Sequence, residues 1–381
     1  MNNVYKKFNS FLELKVKNRV VQKVFLNQLK RILNTKINGN NFSKNDKKIF
    51  DQVLIDLFNP PKKNYIKFSL TPNVIKEIQT LKVEQIVNYL IHRYRYEIYP
   101  QMQIKDDYPP YLQIEPTSIC NFRCVFCYQT DNLFNKRSQG YMGHMNFDTF
   151  KLIVDQAEGN IEFISLASRG EPLLCPDIKK MLSYTKDKFL NLKINTNASL
   201  LDEKMSYAIL ESGVKTLVFS ADAADSKLYS ELRVNGKLEK TVKNIEKFQE
   251  IRSKHFNSKI ITRVSGVKVK KEQKIEKMNK FWGNLVDQVA FVNYVPWENV
   301  YQSQKINIEK PCSDLWRRMF IWWNGDTNIC DVDYKSKLKV GNIKDKNIKE
   351  LWNSESYASL RNQHKTKNRR KIYPCNRCNV V

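Results

Sequence analysis

A chain of 381 residues with 41% hydrophobic and 12% aromatic content can bury one large core with additions, or two to three smaller ones, which excludes a lone small module and global disorder. Its 65 basic and 39 acidic residues leave a net charge of +26; the basic residues are mostly lysines scattered among Asn and Ile, without a compact arginine-rich tract, so nucleic acid is not the expected partner. No run reaches the ~20 apolar residues of a membrane span and no signal-like apolar stretch follows the N-terminus, so a cytoplasmic protein without membrane insertion is expected, in which eight cysteines serve as thiolate ligands rather than disulfides.

In chain order, residues 1–105 read as a helical N-terminal extension, with apolar residues at three- and four-residue spacing over 11–33, 46–58 and 71–96. Thr71-Pro72 supplies a cap followed by proline at the first helical position. Breaks are expected at Asn59-Pro60-Pro61 and near Pro100.

From about residue 110 the pattern changes. Short apolar runs at 111–115, 161–167, 192–196, 216–220, 260–264 and 288–292 alternate with helical stretches, which predicts βα units and a parallel sheet. The fold class is therefore α/β, and six strands fit a partial, TIM-like (β/α)6 barrel over residues 106–300. A helix over 241–251 carries Val242, Ile245, Phe248 and Ile251 on one face. Residues 301–381 read as a small C-terminal unit: a hairpin turning at Asn324-Gly325-Asp326, where Asn-Gly suits the positive φ angles of a tight turn, and a short helix around 349–360.

Directly after the first barrel strand, Cys120, Cys124 and Cys127 form a CxxxCxxC pattern. Three thiolates leave one iron of a four-iron cubane open to chelate the amino and carboxylate groups of S-adenosylmethionine (SAM); structural zinc is the alternative. The segment Glu115-Pro116-Thr117-Ser118-Ile119-Cys120-Asn121-Phe122-Arg123-Cys124-Val125-Phe126-Cys127-Tyr128 resembles the signature of the radical SAM superfamily. The resemblance implies that the three cysteines hold a SAM-binding 4Fe-4S cluster, that Phe126 packs beside the adenine, and that SAM is cleaved to a 5′-deoxyadenosyl radical.

Ser168-Arg169-Gly170-Glu171-Pro172 follows the second strand; its glycine permits a turn close to a ligand and its carboxylate can accept from an ammonium group. It is similar to the family's Gly-Gly-Glu-Pro segment, which implies that Glu171 or the neighbouring backbone at Gly170 holds the methionyl amine. Arg169 stands in place of the first glycine and is expected to face cofactor or substrate. Asn195-Thr196-Asn197 and Ser220-Ala221-Asp222 end the third and fourth strands, at the mouth where barrels place their active sites. The resemblance implies ribose contacts for Asn195, Thr196, Asn197 and Ser220, and a pairing of Arg233 with the SAM carboxylate. Arg263 on the fifth strand is a further candidate for the catalytic cavity, with a structural arginine as the alternative. Cys175 has no partner at ligand spacing and reads as a packing residue.

Cys312, Cys330, Cys375 and Cys378 follow at spacings of 18, 45 and 3. Four thiolates satisfy either tetrahedral zinc or a fully ligated iron-sulfur cluster. Together with Leu315-Trp316, Cys330-Asp331, Val340-Gly341-Asn342-Ile343, Leu351-Trp352 and Pro374-Cys375, they resemble the SPASM/twitch domains of radical SAM enzymes, which implies a second, auxiliary 4Fe-4S cluster. With no cysteines for a further cluster, the unit is similar to the twitch form, a β-hairpin plus helix, found in aminocyclitol dehydrogenases. Asp331 resembles in position the catalytic base of anaerobic sulfatase maturases. The whole implies an oxidoreductase acting on a sugar or aminocyclitol-like carbinol, supplied with electrons by flavodoxin or ferredoxin. Modification of a peptide side chain is the second reading and an RNA-binding non-enzyme a distant third.

Overall fold

The computed structural model describes residues 4–5, 11–16, 22–36, 43–61, 65–256 and 258–381. Its N-terminal part contains β1 (Phe11–Val16), α1 (Gln22–Lys36), α2 (Lys44–Phe58), α3 (Pro72–Ile78) and α4 (Ile86–Met102). Next come β2 (Tyr111–Ile114), β3 (Arg123–Cys124), α5 (Phe147–Ala157), β4 (Phe163–Leu166), α6 (Ile178–Tyr184), β5 (Asn191–Thr196) and α7 (Glu203–Glu211). They are followed by β6 (Val214–Ser220), α8 (Ser226–Leu232), β7 (Arg233–Val234), α9 (Leu238–Ile251), β8 (Ile261–Lys268), α10 (Ile275–Gly283) and β9 (Gln288–Asn293). The C-terminal part adds α11 (Asp314–Arg317), β10 (Arg318–Ile321), β11 (Asp326–Asn328), β12 (Gly341–Asn342), α12 (Ile348–Trp352) and α13 (Glu355–Lys365).

Strands β2, β4, β5, β6, β8 and β9 lie side by side in chain order and all run parallel. This is the expected α/β array of six βα units. The sheet does not close on itself: β1 pairs antiparallel with β9 at one edge, and β10 pairs parallel with β2 at the other. Both otherwise open edges of the parallel array are thereby covered.

Local chemistry explains the units. Helices α5, α7 and α8 begin at Asn146, Asp202 and Asp225, whose side chains accept from the backbone N–H of Thr149, Met205 and Leu228; such a cap stabilises by about 1 kcal/mol. Helix α9 buries Leu238, Thr241, Ile245, Phe248 and Ile251, one face at helical spacing. In β5, Leu192 and Ile194 enter the main core while Asn191, Lys193 and Asn195 take the opposite face. That core also takes in Leu315, Trp316, Trp352 and Tyr357 from the C-terminal part. A second core joins α1, α2, α3 and α4 to Tyr111, Phe163 and Leu190, which start β2, start β4 and precede β5. The extension therefore plugs the N-terminal end of the parallel strands and leaves the other end for the site. No helix among the described residues is long and apolar enough to cross a membrane.

The structure departs from the sequence expectation in four places. Of the helix expected over 11–33, residues 11–16 are a strand; Leu12, Leu14 and Val16 alternate with Glu13 and Lys15 in sequence, a period of two. Residues 17–21 of that stretch lie outside the described residues. The helix expected over 71–96 is two, because Thr80 donates to the Glu77 carbonyl and ends α3; the Thr71 cap with proline at the first helical position is present. Pro100 does not break the chain out of α4, since it sits in the last turn, before Gln103 ends the helix with φ of 54°. The helix expected near 349–360 is α12 and α13, with Ser354 capping the second.

Phe163 is 1% exposed and packs with Tyr89, His92 and Tyr96 of α4 at ring-centroid distances of 5.4, 6.5 and 6.1 Å. Phe163→Ala is expected to cost about 3–5 kcal/mol, read as a lowered denaturant midpoint, because it opens a cavity where the helical extension meets the sheet.

Candidate active site

The loop leaving β2 carries the first cysteine set and is pinned from three sides. Ser118 N–H donates to the Gly143 carbonyl at 3.1 Å. Gln129 Nε2 donates to the carbonyls of Ser118 and Arg169 at 2.8 and 2.5 Å. Strand β3 pairs with β7 so that Cys124 lies opposite Arg233. Gly170 packs against this loop so closely that an added Cβ would stand 2.4 Å from the Thr117 carbonyl and 2.5 Å from that of Ile119. Only glycine lets Glu171 N–H reach the Ile119 carbonyl at 2.9 Å.

Cys120, Cys124 and Cys127 border one cavity of about 350 Å³ at the C-terminal ends of the strands, a volume within the range of small-molecule sites. Burial pushes the Cys120 thiol up to about 12, with Glu171 next in effect. Cys124 and Cys127 are raised too, chiefly by burial. Arg233 opposes the rise at both, and its Nη1 lies 3.8 Å from Cys124 Sγ. Buried thiols that raise one another ionise only against a cationic group, and an iron-sulfur core supplies that charge. No three His, Cys, Asp or Glu side chains among the described residues are grouped to hold a single metal ion; the thiols of each set border a cavity instead.

The other expected cofactor contacts fall around the same cavity: Phe126, Gly170, Glu171, Asn195, Thr196, Asn197, Ser220 and Arg233 all line it. Glu171 accepts from Thr196 Oγ1 at 2.6 Å and from the backbone N–H of Asn197 and Leu173 at 2.7 and 3.2 Å. Burial nevertheless holds its carboxyl above the usual range. Asn195 Oδ1 and Ser168 Oγ are buried without a hydrogen-bond partner, two polar atoms at the cavity wall that suit a polar ligand. Arg233 is fixed by Asp222, 2.6 Å from its Nε, and lies 5.8 Å from the Phe126 ring.

Two expectations fail on geometry. Arg169 borders the cavity, but its guanidinium does not face it as a free group. Nε and Nη2 donate to Glu115 at 2.7 and 2.6 Å, Nη1 donates to the Tyr334 carbonyl at 2.8 Å, and the cation stacks 4.2 Å from the Trp322 ring. Arg263 does not line this cavity; its Nε donates to Gln288 Oε1 at 2.7 Å and its Nη2 to Asn73 of α3. The helical extension supplies that acceptor, so Arg263 is a structural arginine at the plugged end.

The second cysteine set borders a separate cavity: Cys312, Cys330, Cys375 and Cys378, with His364 and Arg369. Arg369 clamps the terminal CxxC by donating to the carbonyls of Cys375 and Cys378 at 3.3 and 2.5 Å. His364 Nδ1 accepts from Cys312 N–H at 3.2 Å, and burial depresses its pKa to about 3. The ring is therefore neutral with its proton on Nε2, and Nε2 is buried without a partner. An orphaned donor beside four thiols suits a group with acceptor sulfurs, as an iron-sulfur cluster has. Tyr128, which borders the first cavity, stacks on Tyr334 at 4.9 Å, and both belong to a small apolar cluster against which Cys127, Cys330 and Cys378 pack. Cys330 borders one cavity and Asp331, 9% exposed, borders the other.

Matches to family descriptions agree with this geometry. The radical SAM superfamily model matches residues 114–281, and the SPASM iron-sulfur cluster-binding domain matches residues 312–379. The chain thus carries a radical SAM domain followed by a SPASM domain. Its cofactors are accordingly a 4Fe-4S cluster with SAM and, through the SPASM domain, auxiliary iron-sulfur. The radical SAM chain is 34% identical over 114 residues to the tungsten-containing aldehyde ferredoxin oxidoreductase cofactor-modifying protein of Pyrococcus furiosus, an alignment covering 29% of this chain and only 30% of that protein. It is 24% identical over 310 residues to the AdoMet-dependent heme synthase of Methanosarcina barkeri, covering 68% of this chain and 86% of that one. It is 22% identical over 275 residues to the SAM-dependent 2-deoxy-scyllo-inosamine dehydrogenase of Niallia circulans, covering 71% and 92%. In fold it is similar to SuiB of Streptococcus suis bound to the precursor peptide SuiA, with a TM-score of 0.54, 19% identity and coverage of 83% and 78%. The fold is thus a TIM-like partial barrel.

Sequence reasoning missed Gln113, Ser165, Lys193, Trp297 and Arg318, which also line the larger cavity. The signal for one was present: Asn191, Lys193 and Asn195 alternate with Leu192 and Ile194, which puts a lysine on the inner face of a central strand. Reconstituted protein is expected to hold about eight irons. Replacing Cys312, Cys330, Cys375 and Cys378 by Ala should halve that content; unchanged iron in the variant would contradict the two-site assignment.

Proposed function

We propose that Cys120, Cys124 and Cys127 hold the SAM-binding cluster, that Cys312, Cys330, Cys375 and Cys378 hold one auxiliary cluster, and that the enzyme oxidises a sugar or aminocyclitol-like carbinol by two electrons. When bound, these groups supply a 5′-deoxyadenosyl radical that removes a substrate hydrogen and an acceptor for the second electron. The residues of the chain do the rest. Phe126 packs beside the adenine, Arg233, held by Asp222, meets the SAM carboxylate, and the unpaired Asn195 Oδ1 accepts from the ribose. Glu171 keeps the Thr196-Asn197 turn in place and presents its remaining lone pairs to the methionyl amine. Asp331 takes the hydroxyl proton of the substrate once the hydrogen has gone.

The observation that carries this reading is the placement of consecutive residues: Cys330 borders the auxiliary cavity and Asp331 the cavity of the first cysteine set. A base anchored to a cluster ligand lies beside both the site of hydrogen removal and the electron acceptor. Modification of a peptide side chain uses the same groups, and the likeness of fold to SuiB favours it as a second reading. Flavodoxin or ferredoxin is the proposed electron donor.

Asp331→Asn is expected to keep both clusters and to cleave SAM without coupling, while product formation falls at least ~100-fold, the usual worth of a general base. Deoxyadenosine and oxidised product are measured side by side by mass spectrometry across sugars, aminocyclitols and peptides. Unchanged product in the variant removes Asp331 from the mechanism, and turnover of peptides alone replaces the carbinol reading with the second.

A further inference from the structure

On the inner face of the barrel, three polar residues stand in one row across three neighbouring parallel strands. Gln113 of β2 is in register with Ser165 of β4, and Ser165 with Lys193 of β5. Neighbouring strands are about 4.8 Å apart, so the row spans roughly 10 Å. All three residues border the cavity that holds the first cysteine set. Barrel interiors of this architecture are normally packed with branched apolar side chains in layers.

None of the three side chains has a hydrogen bond or ion pair with any described residue; Lys193 Nζ has only the Tyr111 ring, 5.6 Å from its centroid. On the other side of Tyr111, Arg318 is in register with it on β10 and stacks at 4.8 Å on the same ring. Arg318 Nη2 donates to the Tyr96 hydroxyl at 2.9 Å and its Nε stands 3.9 Å from Asp314. The remaining cavity cations are matched, Arg169 by Glu115 and Arg233 by Asp222. Of the carboxylates, Glu171 already accepts three bonds from the protein, and Asp331 stands on the C-terminal segment. Lys193 is thus a cation without a counter-charge in a row of unpartnered donors.

We propose that Lys193, Ser165 and Gln113 form an anion subsite that receives a carboxylate or phosphate group of the substrate. The inference rests on the reading of this cavity as the radical SAM active site, and it narrows the substrate class. An anionic oxygen group satisfies the lysine, the amide N–H and the hydroxyl together through charge-assisted hydrogen bonds. A protonated amine meets like charge from Lys193 and Arg318. Within the carbinol reading, sugar acids and sugar phosphates therefore fit, and a free aminocyclitol does not.

The test uses the anaerobically reconstituted enzyme with SAM and titrates glucuronate, a hexose phosphate and glucosamine at one fixed ionic strength by calorimetry. At least one anionic probe is expected to bind more tightly than glucosamine, and the tighter of the two identifies the anion. Lys193→Gln should weaken that probe roughly ten-fold or more, Lys193→Arg should restore most of the affinity, and Lys180→Gln, an exposed surface lysine, should change nothing. Ser165→Ala, expected to weaken the same probe several-fold, serves if Lys193→Gln does not fold with its full iron content. Glucosamine binding as tightly as both anions, equal losses in the Lys193 and Lys180 variants, or no binding of either anion would overturn the subsite. Failure of the active-site reading itself is separate: it shows as no deoxyadenosine from the wild-type enzyme, whichever probe binds.

Discussion

The carboxylate of Glu115 and the guanidinium of Arg169 meet at 2.6 Å with side chains 0% and 2% exposed, and the geometry of both cavities depends on that pair. Glu115 directly follows the first barrel strand, five residues before Cys120. Arg169 follows the second strand and precedes the glycine that packs on the cysteine loop. The same carboxylate accepts from Trp323 N–H at 3.3 Å and the same guanidinium donates to the Tyr334 carbonyl. One ion pair therefore ties two barrel strands to the hairpin that carries Cys330 and Asp331. Removing one member of such a buried pair leaves a charge without its partner, which is far more costly than replacing both.

Continuity of the sheet does the same at the level of the backbone. Because β10 pairs with β2 in parallel register, the C-terminal part continues the barrel sheet rather than hanging from a linker. Cys330 then follows Asn328, which closes the β10–β11 pairing with Phe320. An aromatic cluster from both parts packs against Cys127, Cys330 and Cys378, with Phe134 and Tyr301 edge-on to the Tyr128–Tyr334 stack. Packed rings and sheet register thus join the parts that carry the two cysteine sets.

Much of this was legible in the sequence, and the reasons for the exceptions are physical. The six parallel strands read as short apolar runs because both their faces are covered, and the spacing of the seven clustered cysteines divides them into the same two groups that border the two cavities. Strand β1 was hidden because its alternating residues adjoin a genuine helical pattern. The roles of Arg169 and Arg263 were not legible because each is decided by a partner distant in sequence: Glu115 lies 54 residues from Arg169, and Asn73 lies 190 from Arg263. Lys193 shows the converse: strand alternation sets it on the face opposite Leu192 and Ile194, yet it was missed, and only register with Ser165 and Gln113 gives it neighbours.

The central claim is that Cys120, Cys124 and Cys127 form the site of SAM cleavage. The most direct measurement is deoxyadenosine formation by the reduced enzyme in which these three alone are replaced by Ala. The account predicts that no deoxyadenosine forms while about four irons stay bound at the auxiliary site. Deoxyadenosine formed at the wild-type rate by that variant would contradict it.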